Sequence, residues 1–323
     1  MRGVKERTAP PGLRSGLAVS PRLDPQIEVR DRVAFLRAYL VASRQRSLWL
    51  AVSGGVDSAL TGRLASLAVA AANRDGGAYR FVAVRLPHGK QRDAGDAERV
   101  LEWIEPSEVV SVNIASAVRA LEASLPKDRL EAGSETARDY ARGNTKARVR
   151  MAVQYHLANL EGGLVVGTDH SAEALVGFFT KFGDGGVDVC PLFGLSKRQV
   201  RRLATHLGAP EAIVAKAPTA DLEDLRPGLP DEEALGISYQ AIDDYLEGLP
   251  VPAEVADRID ALYRATEHKR RTPTPAGGGR WPSPPPPRGR CPLRPRRGRR
   301  PACGPCGRPR RWRAGRPGRL PEC

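Results

Sequence analysis

Apolar positions along this chain follow two alternating rhythms. Ile27, Val33, Phe35, Leu36, Tyr39 and Leu40 recur mostly at helical spacing and predict a helix from Gln26 onward. Ser47-Leu-Trp-Leu-Ala-Val52 is an unbroken apolar run, a short buried strand, and it leads straight into Ser53-Gly-Gly-Val-Asp-Ser58. An Ala/Leu-rich helix follows to about Ala72, where Asn73-Arg-Asp-Gly-Gly77 stops it. The alternation then repeats. Strands are predicted at Tyr79–Val84, Glu108–Asn113 and Gly163–Gly167, and helices at 93–104, 115–124, 137–160 and 196–207. Strands alternating with helices predict a parallel sheet with helices on both faces, joined by right-handed crossovers. Gly208-Ala-Pro210 ends the pattern, and helices at 231–236, 238–247 and 252–268 follow without further strands. No internal repeat is present.

Composition changes the picture in one place. The chain of 323 residues has 51 Lys+Arg against 37 Asp+Glu, a net charge of +14. Residues 272–323 hold 14 Arg, no Lys and one acid, Glu322, so +13 of that charge lies in 52 residues and about +1 in the body. Bulk charge therefore does not make the body a nucleic-acid-binding domain. The body has one cysteine, Cys190, which excludes a disulfide framework or a multi-cysteine metal site there. Its longest apolar stretch, Ala59 to Ala72, is interrupted by Arg63 and is too short to span a bilayer. The first residues are charged and lack an apolar secretory core. A cytoplasmic protein without membrane contact is the expectation, with residues 1–25 as a mobile Pro/Arg/Gly-rich lead-in.

Ser53-Gly54-Gly55-Val56-Asp57-Ser58 carries the first candidate chemistry. In an open α/β sheet, ligands sit beyond the carboxyl ends of the strands. Two glycines permit a sharp turn and close approach, and the N–H groups opening the next helix form an anion site. Asp57 beside a phosphate suits Mg²⁺. Glycines serving turn geometry alone would look similar. Neither a Walker A string nor G-x-G-x-x-G occurs in this turn, which disfavours both standard nucleotide fingerprints.

This hexamer after a first strand resembles the pyrophosphate loop of the N-type ATP pyrophosphatases, which cleave ATP between its α- and β-phosphates. Further strings narrow the resemblance: Val165-Val-Gly-Thr-Asp-His-Ser-Ala-Glu-Ala174, Gly177-Phe-Phe-Thr-Lys-Phe-Gly-Asp-Gly-Gly-Val-Asp188, Leu195-Ser-Lys-Arg-Gln199, Ala217-Pro-Thr-Ala-Asp-Leu-Glu223 and Thr266-Glu-His-Lys-Arg-Arg271. From about residue 27 to 271 the chain resembles bacterial ammonia-dependent NAD synthetases. The resemblance implies an adenine nucleotide alpha hydrolase-like α/β domain over 26–271, with an open five-stranded parallel sheet and a helical C-terminal part. It also implies a homodimer. The implied reaction takes ATP and deamido-NAD to an adenylated nicotinate carboxyl and pyrophosphate; ammonia then displaces AMP and yields NAD⁺.

Residue roles follow from the same resemblance. Ala51, Val52, Ser53, Gly54, Gly55, Val56, Asp57 and Ser58 match the ATP-phosphate loop. Arg85, Thr168, Lys197 and Thr219 match further ATP positions. Asp57 and Glu173 match Mg²⁺ carboxylates, and with Lys197 they form the implied catalytic group. Arg142, Lys181, Asp188, His268 and Lys269 match deamido-NAD contacts. His88, His156, His170 and His206 show no metal-ligand spacing and read as ordinary histidines. With no room for an amidase domain ahead of residue 47, free ammonia is the expected nitrogen source. The alternatives are another amidating N-type pyrophosphatase, such as a GMP-synthetase-like enzyme, or a basic RNA-binding protein on a vestigial scaffold.

The tail departs from the family. Arg, Pro and Gly make up 37 of residues 272–323, too little apolar surface to fold alone. Three readings stand side by side: a shifted reading frame near residue 272, a disordered polyanion-binding segment that meets nucleic acid non-specifically, and a zinc site from Cys291, Cys303, Cys306 and Cys323.

Overall fold

The structure, a computed structural model, describes residues 5–89, 94–219 and 222–271. The three tail readings, the four tail cysteines and the expected 272–323 boundary lie outside the described residues.

In chain order the body begins with β1 (Glu6–Arg7), α1 (Pro11–Gly16), α2 (Pro25–Ala42), β2 (Ser47–Ala51) and α3 (Val56–Arg74). It continues with β3 (Arg80–Arg85), α4 (Ala94–Ile104), β4 (Glu108–Ser111), α5 (Ala115–Ala123), α6 (Lys127–Glu131), α7 (Glu135–Glu161) and β5 (Gly163–Val165). Then come α8 (Ser171–Val176), α9 (Lys197–His206), α10 (Glu211–Val214), α11 (Asp231–Leu235), α12 (Tyr239–Glu247), β6 (Val251–Pro252), α13 (Ala253–Ala265) and a 3₁₀ turn, Glu267–Lys269. Local chemistry sets the ends. Asp24 caps α2 by accepting from the Gln26 and Ile27 N–H groups at 2.9 and 3.3 Å, with Pro25 in the first turn. Gly162, at φ 65°, ends α7 in the left-handed conformation and turns the chain into β5.

The main sheet is parallel, in the order β4-β3-β2-β5. It has four strands, not the expected five. The fifth position is reduced to a single parallel bridge, Val166 to Val189, supported by the Gly167 N–H on the Val189 carbonyl at 2.8 Å. Pro191 follows within two residues; its missing N–H and fixed φ end the pairing.

Period-two alternation splits the sheet between two cores. Leu48 and Leu50 join α2, α3 and α9 residues on one face, while Trp49 and Val82 join Val118 of α5 and Ala158 of α7 on the other. A third cluster gathers α8, α12 and α13 around Leu175, Ile242, Tyr245 and Ile259.

The N-terminal segment corrects the expectation of a mobile lead-in. Residues Glu6–Arg7 pair antiparallel with β6, and Ala9, Leu17 and Val19 are buried in the third cluster. The apolar side chains spaced among its Pro and Arg residues provide the anchor. The segment also braces two later helices: Ser171 Oγ donates to the Leu17 carbonyl at 2.7 Å, and Gln199 Nε2 to the Ser20 carbonyl at 2.7 Å.

Candidate active site

A cavity of about 520 Å³ opens at the carboxyl ends of β2, β3 and β5, where an open parallel sheet places its ligands. Ala51, Val52, Ser53, Gly55, Val56 and Asp57 line it from β2 and the start of α3. Gly55 occupies the N-cap of α3 and has no side chain to cap it, so N–H groups of the first turn are offered to a ligand. Gly54 has φ 91°, and a Cβ there would lie 2.9 Å from the Ala97 backbone nitrogen; glycine is required at this turn. Ser58 backs the loop through Oγ donating to the Gly55 carbonyl at 2.9 Å.

Across the cavity stands Lys197, 1% exposed at the first position of α9. Its backbone is clamped: Asp243 of α12 accepts from the Lys197 and Arg198 N–H groups at 2.9 and 2.8 Å. Its ammonium reaches Asp57 at 2.7 Å to Oδ2 and 3.0 Å to Oδ1. Burial, the largest influence, disfavours ionised Asp57, but the Lys197 charge and hydrogen bond together with the His170 and Arg201 contributions outweigh it and hold the carboxyl below its ordinary range. Burial likewise disfavours the Lys197 ammonium, and Asp57 with Glu173 reverses that, raising it.

His170 caps α8 and is fully buried beside this pair. Its Nε2 lies 3.6 Å from Asp57 Oδ1 and 3.5 Å from Glu173 Oε2. Burial, then the Lys197 charge, pushes the imidazole down to about 3, so the ring is neutral near pH 7. Glu173 is raised well above the usual carboxylate range, first by burial and then by Asp57. Burial also pushes Asp169 up to about 8, with Asp184 and Asp57 adding to it. One ammonium thus serves more buried acid than it neutralises, an arrangement suited to a further cation. Asp57, Glu173 and His170 place donor atoms within 4.8 Å of one another. Hard carboxylate oxygens beside the uncapped N-terminus of α3 fit Mg²⁺.

Residues 216–219 and 222–231 line the cavity with Lys216, Thr219, Glu223 and Asp231. Helix α7 clamps residues 222–225: Lys146 Nζ, 3% exposed, donates to the Leu222 carbonyl at 2.9 Å and to Asp224 at 2.6 Å. Asp139 accepts from the Asp224 and Leu225 N–H groups at 2.8 and 3.0 Å.

The profile of the NAD synthase family matches residues 28–273. This chain belongs to the NAD synthase family. Among similar proteins, the NH(3)-dependent NAD(+) synthetase of Mycobacteroides abscessus is 53% identical over 269 residues, covering 83% of this chain and 97% of the relative. The protein of the same description from Vibrio cholerae is 52% identical over 265 residues, covering 80% and 96%. The crystal structure of NAD⁺ synthetase from Burkholderia pseudomallei superposes with TM-score 0.70 at 46% identity, covering 80% of this chain and 94% of that one. An NMN synthetase from Francisella tularensis gives TM-score 0.68 at 31% identity, with 79% and 99% covered.

Within this NAD synthase fold, the expected residues land in three ways. Asp57, Glu173, Lys197, Thr168 and Thr219 line the one cavity together with the loop from Ala51 to Asp57, Gly54 excepted. Lys181, His268 and Lys269 do not line the cavity and meet one another and the 177–181 segment, which includes Phe178 of the lining. Lys181 Nζ donates to the His268 carbonyl at 2.5 Å, and Lys269 Nζ to the Gly177 and Phe179 carbonyls at 2.9 and 2.7 Å. Ser58 stands behind the loop rather than in the lining, and three further expected positions are held away from it by other contacts. Arg85 faces Glu98 at 3.7 Å. Arg142 is held at the rim by Glu122 at 2.6 Å and Asp224 at 3.5 Å. Asp188 accepts from the Val165 N–H at 2.8 Å and the Tyr155 hydroxyl at 3.1 Å, tying the sheet edge to α7.

The sequence reading missed Lys146, Asp139, Asp231 and the part played by His170. His170 and Glu173 stand three apart before a short apolar run, the capping-box spacing, and that was the available signal. Lys146 and Asp139 carried none, because their partners lie some 80 residues later.

Proposed function

We propose that the chain is an ammonia-dependent NAD synthetase acting through residues 26–271. The Lys197–Asp57 pair, set with Glu173 at the capless N-terminus of α3 in one cavity, carries this reading. The carboxylate of deamido-NAD is a poor electrophile because oxide is a poor leaving group. Joining it to AMP supplies a better one, and the protein's task is positioning and charge stabilisation.

The N–H groups opening α3 and the Lys197 ammonium hold the ATP phosphates and balance charge passing to pyrophosphate. Asp57 and Glu173 would hold Mg²⁺, which neutralises phosphate charge during the displacement. Thr168 and Thr219 contribute hydroxyls to the same cavity. Lys181, His268 and Lys269 hold the deamido-NAD end, next to Asp184. Residues 222–231, clamped by Lys146, limit water at the adenylate. Ammonia then attacks the adenylated carboxyl and AMP leaves.

A cytoplasmic homodimer accompanies this reading. Ile27, Phe35 and Tyr39 stand 47%, 46% and 41% exposed on α2, an apolar face suited to a second copy. No helix among the described residues is long and apolar enough to cross a membrane.

Pyrophosphate release tests the substrate. With ATP and Mg²⁺, deamido-NAD is expected to trigger release, while nicotinate mononucleotide and xanthylate leave it near background. Equal release with nicotinate mononucleotide would place the chain with the NMN-forming relative. Release with xanthylate alone would favour the GMP-synthetase-like alternative.

A further inference from the structure

We propose that Lys216 is a further phosphate-binding residue of the cavity: its ammonium, paired with Asp96 in this structure, turns to the phosphates of ATP when the nucleotide binds, while Arg99 keeps Asp96 paired. This rests on the reading of the cavity as an ATP site.

The charge of the cavity motivates the assignment. A nucleoside triphosphate adds several negative charges to a lining that already holds Asp57, Glu173, Asp184 and Asp231. Lys146, Lys197 and Lys216 are the lysines of that lining. Lys197 is shared with both oxygens of Asp57, and Lys146 is taken up by the Leu222 carbonyl and Asp224. Lys216 is placed differently. Its side chain is 22% exposed, and its ammonium meets Asp96 Oδ2 at 2.7 Å.

Asp96 stands against the phosphate loop. It lies in the first turn of α4, and a Cβ on Gly54 would sit 3.1 Å from the Asp96 Cβ. The Lys216 ammonium is therefore held within a side-chain length of the loop. The backbone beneath it is fixed from both directions. The Ala215 N–H donates to the Glu211 carbonyl at 2.8 Å at the end of α10, and the Asp231 N–H to the Pro218 carbonyl at 3.1 Å. Thr219 forms an antiparallel bridge with Pro230. What moves is the flexible four-carbon stem, which carries its ammonium from one oxygen to another by rotation alone.

Arg99 removes the main obstacle to that movement. Taking a lysine from a carboxylate ordinarily strands the acid. Here the Arg99 guanidinium already holds Oδ1 of Asp96, the oxygen that Lys216 does not use. A part-exposed ion pair contributes little, whereas a charge-assisted bond to phosphate inside a cavity contributes more, so the balance favours the nucleotide.

The plain alternative is a fixed tie between Lys216 and α4 with no part in binding. A tie predicts one sign for both partners, because breaking it from either end loosens the cavity wall. A lysine shared between Asp96 and phosphate predicts opposite signs. Calorimetric titration of the full chain with MgATP, in the absence of deamido-NAD, and with magnesium pyrophosphate separates the two. Lys216→Met should weaken both ligands about tenfold, Lys216→Arg should restore most of the loss, and adenosine, which has no phosphate, should bind as to the wild type. Asp96→Asn should tighten both ligands about two- to fivefold. That gain should vanish when Lys216→Met is added to Asp96→Asn. Wild-type affinity in Lys216→Met, an equal loss for adenosine, or weaker binding in Asp96→Asn would each overturn the proposal. So would a gain that survives in the double variant, since Asp96 would then act through its own charge. A wild-type chain that binds neither ATP nor pyrophosphate would instead remove the ATP reading of the cavity, and this role with it. Only binding is read, so a chain making no NAD⁺ would not affect these outcomes.

Discussion

Lys197 is 1% exposed and its charge depends on Asp57, whose side chain is 21% exposed. Asp57→Ala leaves a buried ammonium without its partner, so unfolding free energy is expected to fall by about 3–5 kcal/mol in denaturant titration. Turnover should drop about 100-fold or more, because a group balancing transition-state charge is gone. A stability loss under about 1 kcal/mol would mean that the pair is not the buried interaction described. Lys181→Ala should raise the KM for deamido-NAD about tenfold, with the KM for ATP unchanged; equal changes in both would contradict its place at the dinucleotide end. Asp169 gives a pH signature. Burial, then Asp184 and Asp57, raise it from 3.8 to about 8, so the folded chain keeps this proton where the unfolded chain has lost it. Its contribution to stability is full below its ordinary range and disappears as pH rises through about 8. The metal-free Tm should therefore fall between about pH 4 and 8 more steeply than in Asp169→Asn, whereas parallel slopes would contradict the shift. At this scale Asp57, Glu173 and Lys197 were legible because each sits in a recognisable string. The Asp188 carboxylate matched a string too, yet it meets a backbone N–H and a tyrosine, contacts that no spacing announces.

Most elements could be read from periodicity, because strands buried on both faces and an Ala/Leu-rich helix such as α3 leave strong patterns. β2 is expected at Ser47–Val52 and found at Ser47–Ala51; α12 is expected at 238–247 and found at Tyr239–Glu247. The short pieces escaped. α8 spans six residues, too few for a helical period to show, although it carries Glu173. β1 and β6 span two residues each and exist only through their long-range pairing. The periodicity yields the four main-sheet strands that are found, and the fifth was implied by the resemblance alone; only the Val166–Val189 bridge stands in its place, with Pro191 ending the ladder. The turn between β2 and α3 makes an element-scale prediction. Gly54→Ala forces a side chain into φ 91° and against the Ala97 nitrogen, so it should cost about 1–3 kcal/mol and weaken ATP binding with it. Wild-type stability and ATP affinity would show that the loop has room to spare.

For the whole molecule, long-range contacts bring α3, α8, α9 and residues 216–219 and 222–231 around a cavity, with the N-terminal segment bracing α8 and α9. Composition pointed in a different direction: the +14 charge suggests a polyanion binder, but the body carrying the cavity is nearly neutral. Strings distributed over some 240 residues converge on a single site, and this convergence underlies the assignment to NAD synthesis. The central claim is that ATP, deamido-NAD and ammonia meet there. The measurement that tests it most directly is product formation by the purified full chain with ATP, Mg²⁺, deamido-NAD and ammonium, each omitted in turn. NAD⁺ and AMP are expected in equal amounts and only in the complete mixture. AMP formed without NAD⁺ in the presence of ammonium, or no product in any mixture, would contradict the account.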